Sequence, residues 1–250
     1  MKPDFYKQYF QIEKDHWLMR VRRLIIFDLL KKYAKLPDGK VKILDFGCGS
    51  GYLVGELAKL GYNSFGVDNF DEAIEYGKQR GIKNLSVVFG AETDYESSFF
   101  DVVFALDVLE HLENEEPVLR EIERILRPGG VLIIMAPAFM FLWGVQDEVA
   151  HHYRRYTMPK LLETIRKSSN LSVVQKTYFN AFLFMPIALV RLFSRWFNIK
   201  NRESDFDINN PVLNKIFFWI INLERFLLRH LQFPFGVSIL TVLKKIDDVN

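Results

Sequence analysis

Ile43-Leu44-Asp45-Phe46-Gly47-Cys48-Gly49-Ser50-Gly51-Tyr52-Leu53 is the stretch on which the fold turns. An apolar run meets an acidic residue, three glycines follow at alternate positions, and an amphipathic segment begins. Glycine has no Cβ and accepts positive φ, so a ligand can lie directly against such a turn. The helix predicted after it aims unpaired N–H groups and the positive end of its dipole at the same place. Strand, cradle and helix together predict a site for a nucleotide-type cofactor. A dinucleotide cradle places its third glycine three residues after the second; here Tyr52 stands at that position.

Working outward, a second strand over Ser64–Val67 runs into Asp68. There a carboxylate can accept hydrogen bonds from both hydroxyls of a ribose. Leu85–Phe89 reads as a third strand, ending at Gly90-Ala91-Glu92. Phe100–Leu106 reads as a fourth, opening into Asp107-Val108-Leu109-Glu110-His111-Leu112. Ile125–Ile134 reads as helix end, turn and fifth strand, and Leu171–Tyr178 and Val237–Leu243 as the sixth and seventh. Strands alternating with helices predict an α/β, doubly wound, mostly parallel sheet.

Asp45, the glycine triplet and Asp68 together resemble motif I and its downstream partners in the class I, Rossmann-like S-adenosylmethionine-dependent methyltransferases. The resemblance covers roughly residues 41–178 and 237–246. It implies a seven-stranded sheet of order 3-2-1-4-5-7-6 with the seventh strand antiparallel, and S-adenosyl-L-methionine as cofactor. It also implies roles. Backbone from Phe46 through Gly47, Cys48, Gly49 and Gly51 to Tyr52 packs on the methionine part and ribose, with Asp45 ordering the loop. Asp68 takes the ribose hydroxyls and Asn69 touches the adenine side. Ala91 and Glu92 approach adenine, although the family commonly has Asp where Ala91 stands. Leu106 and Asp107 lie near the methionyl ammonium.

Two further stretches concern the acceptor. Asp107-x-x-Glu110-His111 is similar to an acidic-x-x-Glu-His sequence of ubiquinone-pathway O-methyltransferases, where it is associated with a metal. The spacing can gather oxygen and nitrogen ligands on one helical face. Metal binding stays open, beside a pocket-lining or proton-accepting role for His111. The run Trp143-x3-Asp147-x3-His151-His152-x-Arg154-Arg155-Tyr156 resembles a loop of a bacterial methyltransferase group linked to cell-surface glycan or lipid metabolism. Asp147 with His151 or His152 can form a carboxylate-oriented base. Trp143, Arg154, Arg155 and Tyr156 are the expected acceptor contacts, the arginines as a clamp for an anion. The alternative is a loop held by ion pairs, with Thr157 capping the next helix. Asp15-His16-Trp17-x-x-Arg20 resembles the same group, and Trp17 and Arg20 are read either as closing over the site or as helix packing.

The 250 residues suffice for a single well-buried domain, 1–250. An N-terminal helical cap is expected over 1–40, with helix from 5 to 35, and an aromatic helical insertion over 180–236. The one cysteine, Cys48, cannot form an internal disulfide and fits a reducing, cytoplasmic compartment. The N-terminus shows no signal-peptide core. The net charge of +2 hides segments of +6 (1–42), −12 (43–150) and +8 (151–250). Basic flanks suggest an anionic partner. The insertion mixes Phe182, Phe184, Phe193, Trp196, Phe217 and Trp219 with Arg191, Arg195, Lys200, Arg202, Lys215, Arg225 and Arg229. Its segment 212–231 suits an amphipathic helix. Two uses fit it: a roof on the acceptor pocket, or a roof that also makes peripheral contact with an anionic membrane at its inner face. No run reaches the 20 or so residues of a membrane span.

These readings favour methyl transfer, O-methylation above all, to a small or lipid-linked acceptor, anionic in one version. A quinone-pathway-like O-methyltransferase at the membrane surface and a non-catalytic interaction protein of the same fold are the alternatives. Nucleic acid is disfavoured: there is no Asn/Asp-Pro-Pro-Tyr/Phe motif, and the basic residues sit among apolar aromatics rather than in a solvated groove.

Overall fold

β1 (Lys42–Phe46) sends Ile43 and Leu44 to opposite faces of a sheet, and both are fully buried. The period of two in a strand makes this a test of layering: a sheet covered on both sides needs apolar residues at successive positions. The computed structural model, which describes residues 12–34, 40–197 and 210–246, shows that arrangement. Parallel to β1 run β2 (Asn63–Asp68), β3 (Leu85–Val87), β4 (Phe100–Leu106) and β5 (Leu126–Pro137). β7 (Ser238–Lys244) lies antiparallel between β5 and β6 (Ser172–Phe179). The order is β3-β2-β1-β4-β5-β7-β6, as expected.

Leu44 faces a layer built from α4 (Glu116–Ile125) and α6 (Met158–Ser168), through Leu119, Ile122, Leu161 and Ile165. Ile43 faces α1 (Trp17–Tyr33) and α8 (Pro211–Leu228), through Val21, Ile25, Ile221 and Leu228. Each such buried aliphatic is worth about 1.5–3 kcal/mol. α2 (Tyr52–Lys59) and α3 (Asp71–Gln79) follow β1 and β2. The insertion thus supplies a core helix, α8, and a second helix, α7 (Phe184–Trp196), which buries only Ala188 fully.

Several boundaries move. α1 starts at Trp17 with the His16 side chain accepting from the Leu18 N–H. The first part of the helix expected over 5–35, its end at Pro37-Asp38-Gly39, and Lys200 and Arg202 lie outside the described residues. β3 stops at Val87 rather than Phe89, because Phe89 is 80% exposed with no core to pack on. α8 begins at Pro211, the favoured first position, with Asn210 capping the Val212 and Leu213 N–H groups, and ends at Leu228 rather than 231. Thr157 caps α6 as expected.

α8 is fastened to α1. Asp28 accepts from both Arg225 (2.7 and 3.0 Å) and Arg229. Asn214 accepts from the Trp17 N–H at 2.7 Å and donates to the Asp15 carbonyl.

Candidate active site

A cavity of about 1090 Å³ opens at the carboxyl ends of β1, β2 and β4, walled by α1, α7 and α8. Open α/β sheets bind ligands at this edge. At one end the backbone itself forms the cradle. Gly47 has φ +78° and lies so close to Val108 that a Cβ would meet its Cγ2 at 2.6 Å. Gly49 has φ +53° and would meet nothing within 4 Å, so this part of the loop is left open to a ligand. Asp68 accepts from the Gly49 N–H at 2.7 Å and from the Phe70 N–H at 3.0 Å. A carboxylate offers about four acceptor sites, so two bonds tie the loop and capacity remains for a diol. Burial raises the Asp68 carboxyl above its ordinary range, and the backbone donors pull against that rise.

Asp45 is pushed up to about 8 by burial, then by Asp68 and Glu13, with Arg22 opposing. Glu13 is pushed up to about 7 by burial, although Ser50 Oγ donates to it at 2.6 Å. Burial, then Asp45 and Asp68, also push the Cys48 thiol up, which fits a small packing residue rather than a thiolate. Phe46, Tyr52, Asn69, Leu106 and Asp107 border the cavity as expected. Ala91 and Glu92 do not. The chain turns at Gly90 (φ +91°), so Val88 and Gly90 border the cavity while Ala91 and Glu92 line a separate depression beside Phe89.

The acceptor end is built on Asp147, which is wholly buried on α5 (Val145–Val149). It meets His152 Nδ1 at 2.8 Å and accepts from Arg155 Nε at 2.7 Å, Arg155 Nη2 at 2.9 Å and the Gly144 N–H at 2.8 Å. Burial alone would raise its pKa; the His152 and Arg155 bonds and the Arg155 charge outweigh that and hold it below the usual value. An ionised Asp147 places a proton on His152 Nδ1, and the neutral ring in that tautomer presents Nε2 as the acceptor. His111 stands edge-on to His152, ring centres 4.5 Å apart. Burial, then His152, lower it to about 4, so it is neutral at physiological pH.

Of the two histidines read as alternatives, the structure pairs His152 with Asp147. His151, exposed at φ +54°, borders the cavity without that carboxylate. Arg155 borders the cavity too, but its guanidinium is committed to Asp147. Arg154, Tyr156 and Trp143 do not border it. Arg154 donates to Glu115 at 2.6 Å, and the Tyr156 hydroxyl donates to the same oxygen at 2.7 Å. Buried Glu115 needs donors and draws both side chains away from the acceptor. Trp17 borders the cavity and packs on Phe217, while Arg20 stacks on Phe218 at 4.2 Å.

Glu110, His111 and His152 bring one potential ligand atom each within 4.8 Å of one another. Both carboxylate oxygens of Glu110 are buried without a hydrogen-bond partner, and burial, then Asp107, push its pKa well above the carboxylate range. One oxygen and two nitrogen donors fit a divalent cation. Held there, such an ion would supply a Lewis acid that makes a bound hydroxyl more acidic.

Arg22, Glu13 and Asn180 border the cavity and were not among the expected site residues. Arg22 was legible in part: Met19, Arg22 and Ile26 fall on one helical face and all three border the cavity.

Residues 44–134 match the family described as Methyltransferase domain. Among relatives, the ubiquinone biosynthesis O-methyltransferase of Rickettsia canadensis is 29% identical over 136 residues, covering 48% of this chain and 58% of that protein. The mitochondrial human enzyme of the same name is 30% identical over 173 residues, covering 58% and 46%. The chain thus spans about half the length of these relatives. A chain of the complex containing the Haloferax volcanii Trm112 methyltransferase activator superposes with TM-score 0.62 at 18% identity, covering 99% and 96%. Haemonchus contortus phosphoethanolamine N-methyltransferase 2, in complex with S-adenosyl-L-methionine, gives TM-score 0.57 at 17% identity, covering 88% and 52%. The [4+2]-cyclase SpnF gives 0.57 at 20%, covering 88% and 80%. Fold and cradle define the class. Residues 44–134 match a methyltransferase domain, set in a sheet of the order expected for the class I fold.

Proposed function

We propose that this chain is an O-methyltransferase acting on a hydroxylated aromatic acceptor with an apolar tail, of the quinone-precursor type. The observation that carries this reading is the Asp147–His152 pair at 2.8 Å, on the same cavity as the glycine cradle. Methyl transfer from a sulfonium is a direct displacement, so positioning supplies most of the catalysis. A phenolic oxygen must also lose its proton, and a neutral imidazole oriented by a carboxylate is suited to take it. His152 is the base, Asp147 and Arg155 hold its ring, and neutral His111 borders the acceptor. Leu142, Leu183, Ile187 and Val190 give an apolar wall where a tail can lie. The names of the relatives support a quinone-related acceptor.

The chain works at an anionic membrane surface, on the cytoplasmic side, where such an acceptor dissolves. Leu189, Phe193 and Trp196 on α7, and Trp219, Leu223 and Phe226 on α8, are exposed beside the cavity wall. Arg191 and Arg195 lie among them. Among the described residues no helix is long and apolar enough to cross a membrane, so the contact is interfacial. The test is incubation with deuteromethyl-labelled cofactor and a prenylated dihydroxybenzene, read by mass spectrometry. A labelled methyl ether is expected. Cofactor binding by calorimetry with no ether formed would reject the acceptor class.

A further inference from the structure

Asn180 directly follows β6, where the strand ends meet the cavity. Phe179, the residue before it, pairs with Ser238 of β7, which pairs in turn with Pro137 of β5. Asn180, Ser238 and Pro137 all border the cavity. Backbone bonds carry this row towards the base. The Val237 N–H donates to the Asn180 carbonyl (3.4 Å), the Ala138 N–H to the Val237 carbonyl (2.9 Å), and Arg155 to the Ala138 carbonyl (3.2 Å). Arg155 also holds Asp147, so Asn180 belongs to the acceptor end. Its φ of +59° is one that Asn adopts more readily than most residues. Glu224 of α8, fully buried, fixes the turn by accepting from the N–H groups of Ala181 (2.8 Å) and Phe182 (3.0 Å). The turn is thus made by backbone donors, and the Asn180 side chain is left over. It is 2% exposed, and its carbonyl oxygen is buried with no hydrogen-bond partner. A buried acceptor left unpaired is costly and uncommon. Leu183 and Ile187, which follow along the chain and border the same cavity, offer it no side-chain donor.

We propose that Asn180 selects the acceptor: its side-chain oxygen receives a second hydroxyl of the aromatic ring, distinct from the one that is methylated. The inference deepens the O-methyltransferase reading and rests on it. A hydroxyl that donates to this oxygen satisfies it. An acceptor without that hydroxyl leaves the oxygen unpaired in a site closed to water, and the unpaired group, not a clash, rejects the analogue. The terminal torsion of an Asn side chain is broad, so the amide turns its oxygen to the cavity with little change of shape. An amide is also uncharged, and it binds a neutral hydroxyl without adding to the acidic groups around the cradle. Two anchors orient the ring. One hydroxyl lies at His152 and loses its proton, the other lies at Asn180 and keeps it, so the pair decides which oxygen meets the methyl group.

The competing account is that Asn180 serves only the turn. Two soluble acceptors separate the accounts: a short-tailed dihydroxybenzene and the same molecule lacking one hydroxyl. The readout is the ratio of their kcat/KM values. Asn180→Gly keeps the positive φ and removes the amide. It should cut the preference for the dihydroxy acceptor by roughly 10- to 100-fold, the range of a buried polar group left unpaired. Asn180→Asp keeps an accepting oxygen and tolerates the same backbone. It should retain the preference, and it keeps the test available if the Gly variant does not fold. An unchanged ratio in the Gly variant, or a lost preference in the Asp variant, overturns the proposal. So does a matching drop in S-adenosylhomocysteine affinity by calorimetry, which would set Asn180 against the cofactor. Unsubstituted protein that binds S-adenosylhomocysteine and methylates neither acceptor refutes the hydroxylated-acceptor reading itself, and the inference falls with it.

Discussion

Asp147 holds His152 through Nδ1 while the same carboxylate receives the guanidinium of Arg155, so the imidazole is fixed in both tautomer and plane. A base oriented this way loses function in two separable steps. His152→Gln should remove the proton acceptor and lower kcat by about 100- to 10,000-fold, with cofactor affinity unchanged. Asp147→Asn should lower kcat comparably. It should also destabilise the fold by about 3–5 kcal/mol, because Arg155 is left buried without its counter-charge. Initial rates and urea unfolding of both variants check this. A His152→Gln enzyme of normal kcat would remove His152 from the chemistry.

Two pairs of buried groups should tilt stability in opposite directions over the acid range. His111 and His16 are each lowered from 6.5 to about 4 by burial. Between those values the unfolded chain binds the proton first, so acidification from pH 6.5 to 4 removes up to about 3 kcal/mol for each. Asp45 and Glu13 act oppositely. Their folded values of about 8 and about 7 lie above the ordinary 3.8 and 4.5, so the stability they contribute is fully present only below those ordinary values, falls steadily as pH rises above them, and is gone once pH has passed 7 and 8. Asp45→Asn should therefore match the unsubstituted protein in acid and exceed it at about pH 8.5, measured as ligand-free denaturant midpoints. A parallel offset at every pH would show that Asp45 does not titrate in this window.

The sheet could be read almost residue by residue because period-two burial and the glycine turn are local signals. β6 and β7 shift by one residue. The cavity lining from Asp45 to Asn69 was legible for the same reason, since one turn and two strand ends carry it. Ala91 and Glu92 lie outside that lining because spacing counts residues but does not show where the chain bends, and it bends at Gly90. The acceptor loop was half legible. Asp147 and His152 pair over five residues, within reach of local reasoning. Arg154 and Tyr156 go to Glu115, about forty residues earlier in the chain, and no local pattern shows that a distant buried acid will claim them. Arg22 sits in a basic run that reads as a solvated helix face, and only its place on one face with Met19 and Ile26 hints at the cavity.

Asp28 joins α1 to α8 through two arginines, and both helices wall the cavity. Asp28→Ala should cost about 1–3 kcal/mol, chiefly through Arg225, which is only 14% exposed. Arg229, 44% exposed, should contribute little. A double-mutant cycle with Arg225→Ala isolates the pair. The expected coupling is at least about 1 kcal/mol, and a value near zero would mean that apolar packing alone joins the helices.

Trp196 is 86% exposed and Trp219 60% exposed, on the two helices that border the acceptor wall. Exposed indoles cost solubility, and their amphipathic rings suit the headgroup region of a bilayer. Replacing both with Ser should leave the fold and the activity on a short-tailed, soluble acceptor unchanged, since neither ring contributes to the buried core. Co-sedimentation with vesicles containing anionic lipid should fall by about tenfold or more, and activity on a long-tailed acceptor presented in those vesicles should fall with it. The unsubstituted protein should detach as salt rises, because Lys and Arg near an anionic surface contribute about 1 kcal/mol each and act within a Debye length. Unsubstituted protein recovered only in the supernatant at low salt would leave the aromatic faces without a membrane role. Loss of soluble-acceptor activity in the double variant would place the rings in the pocket roof instead.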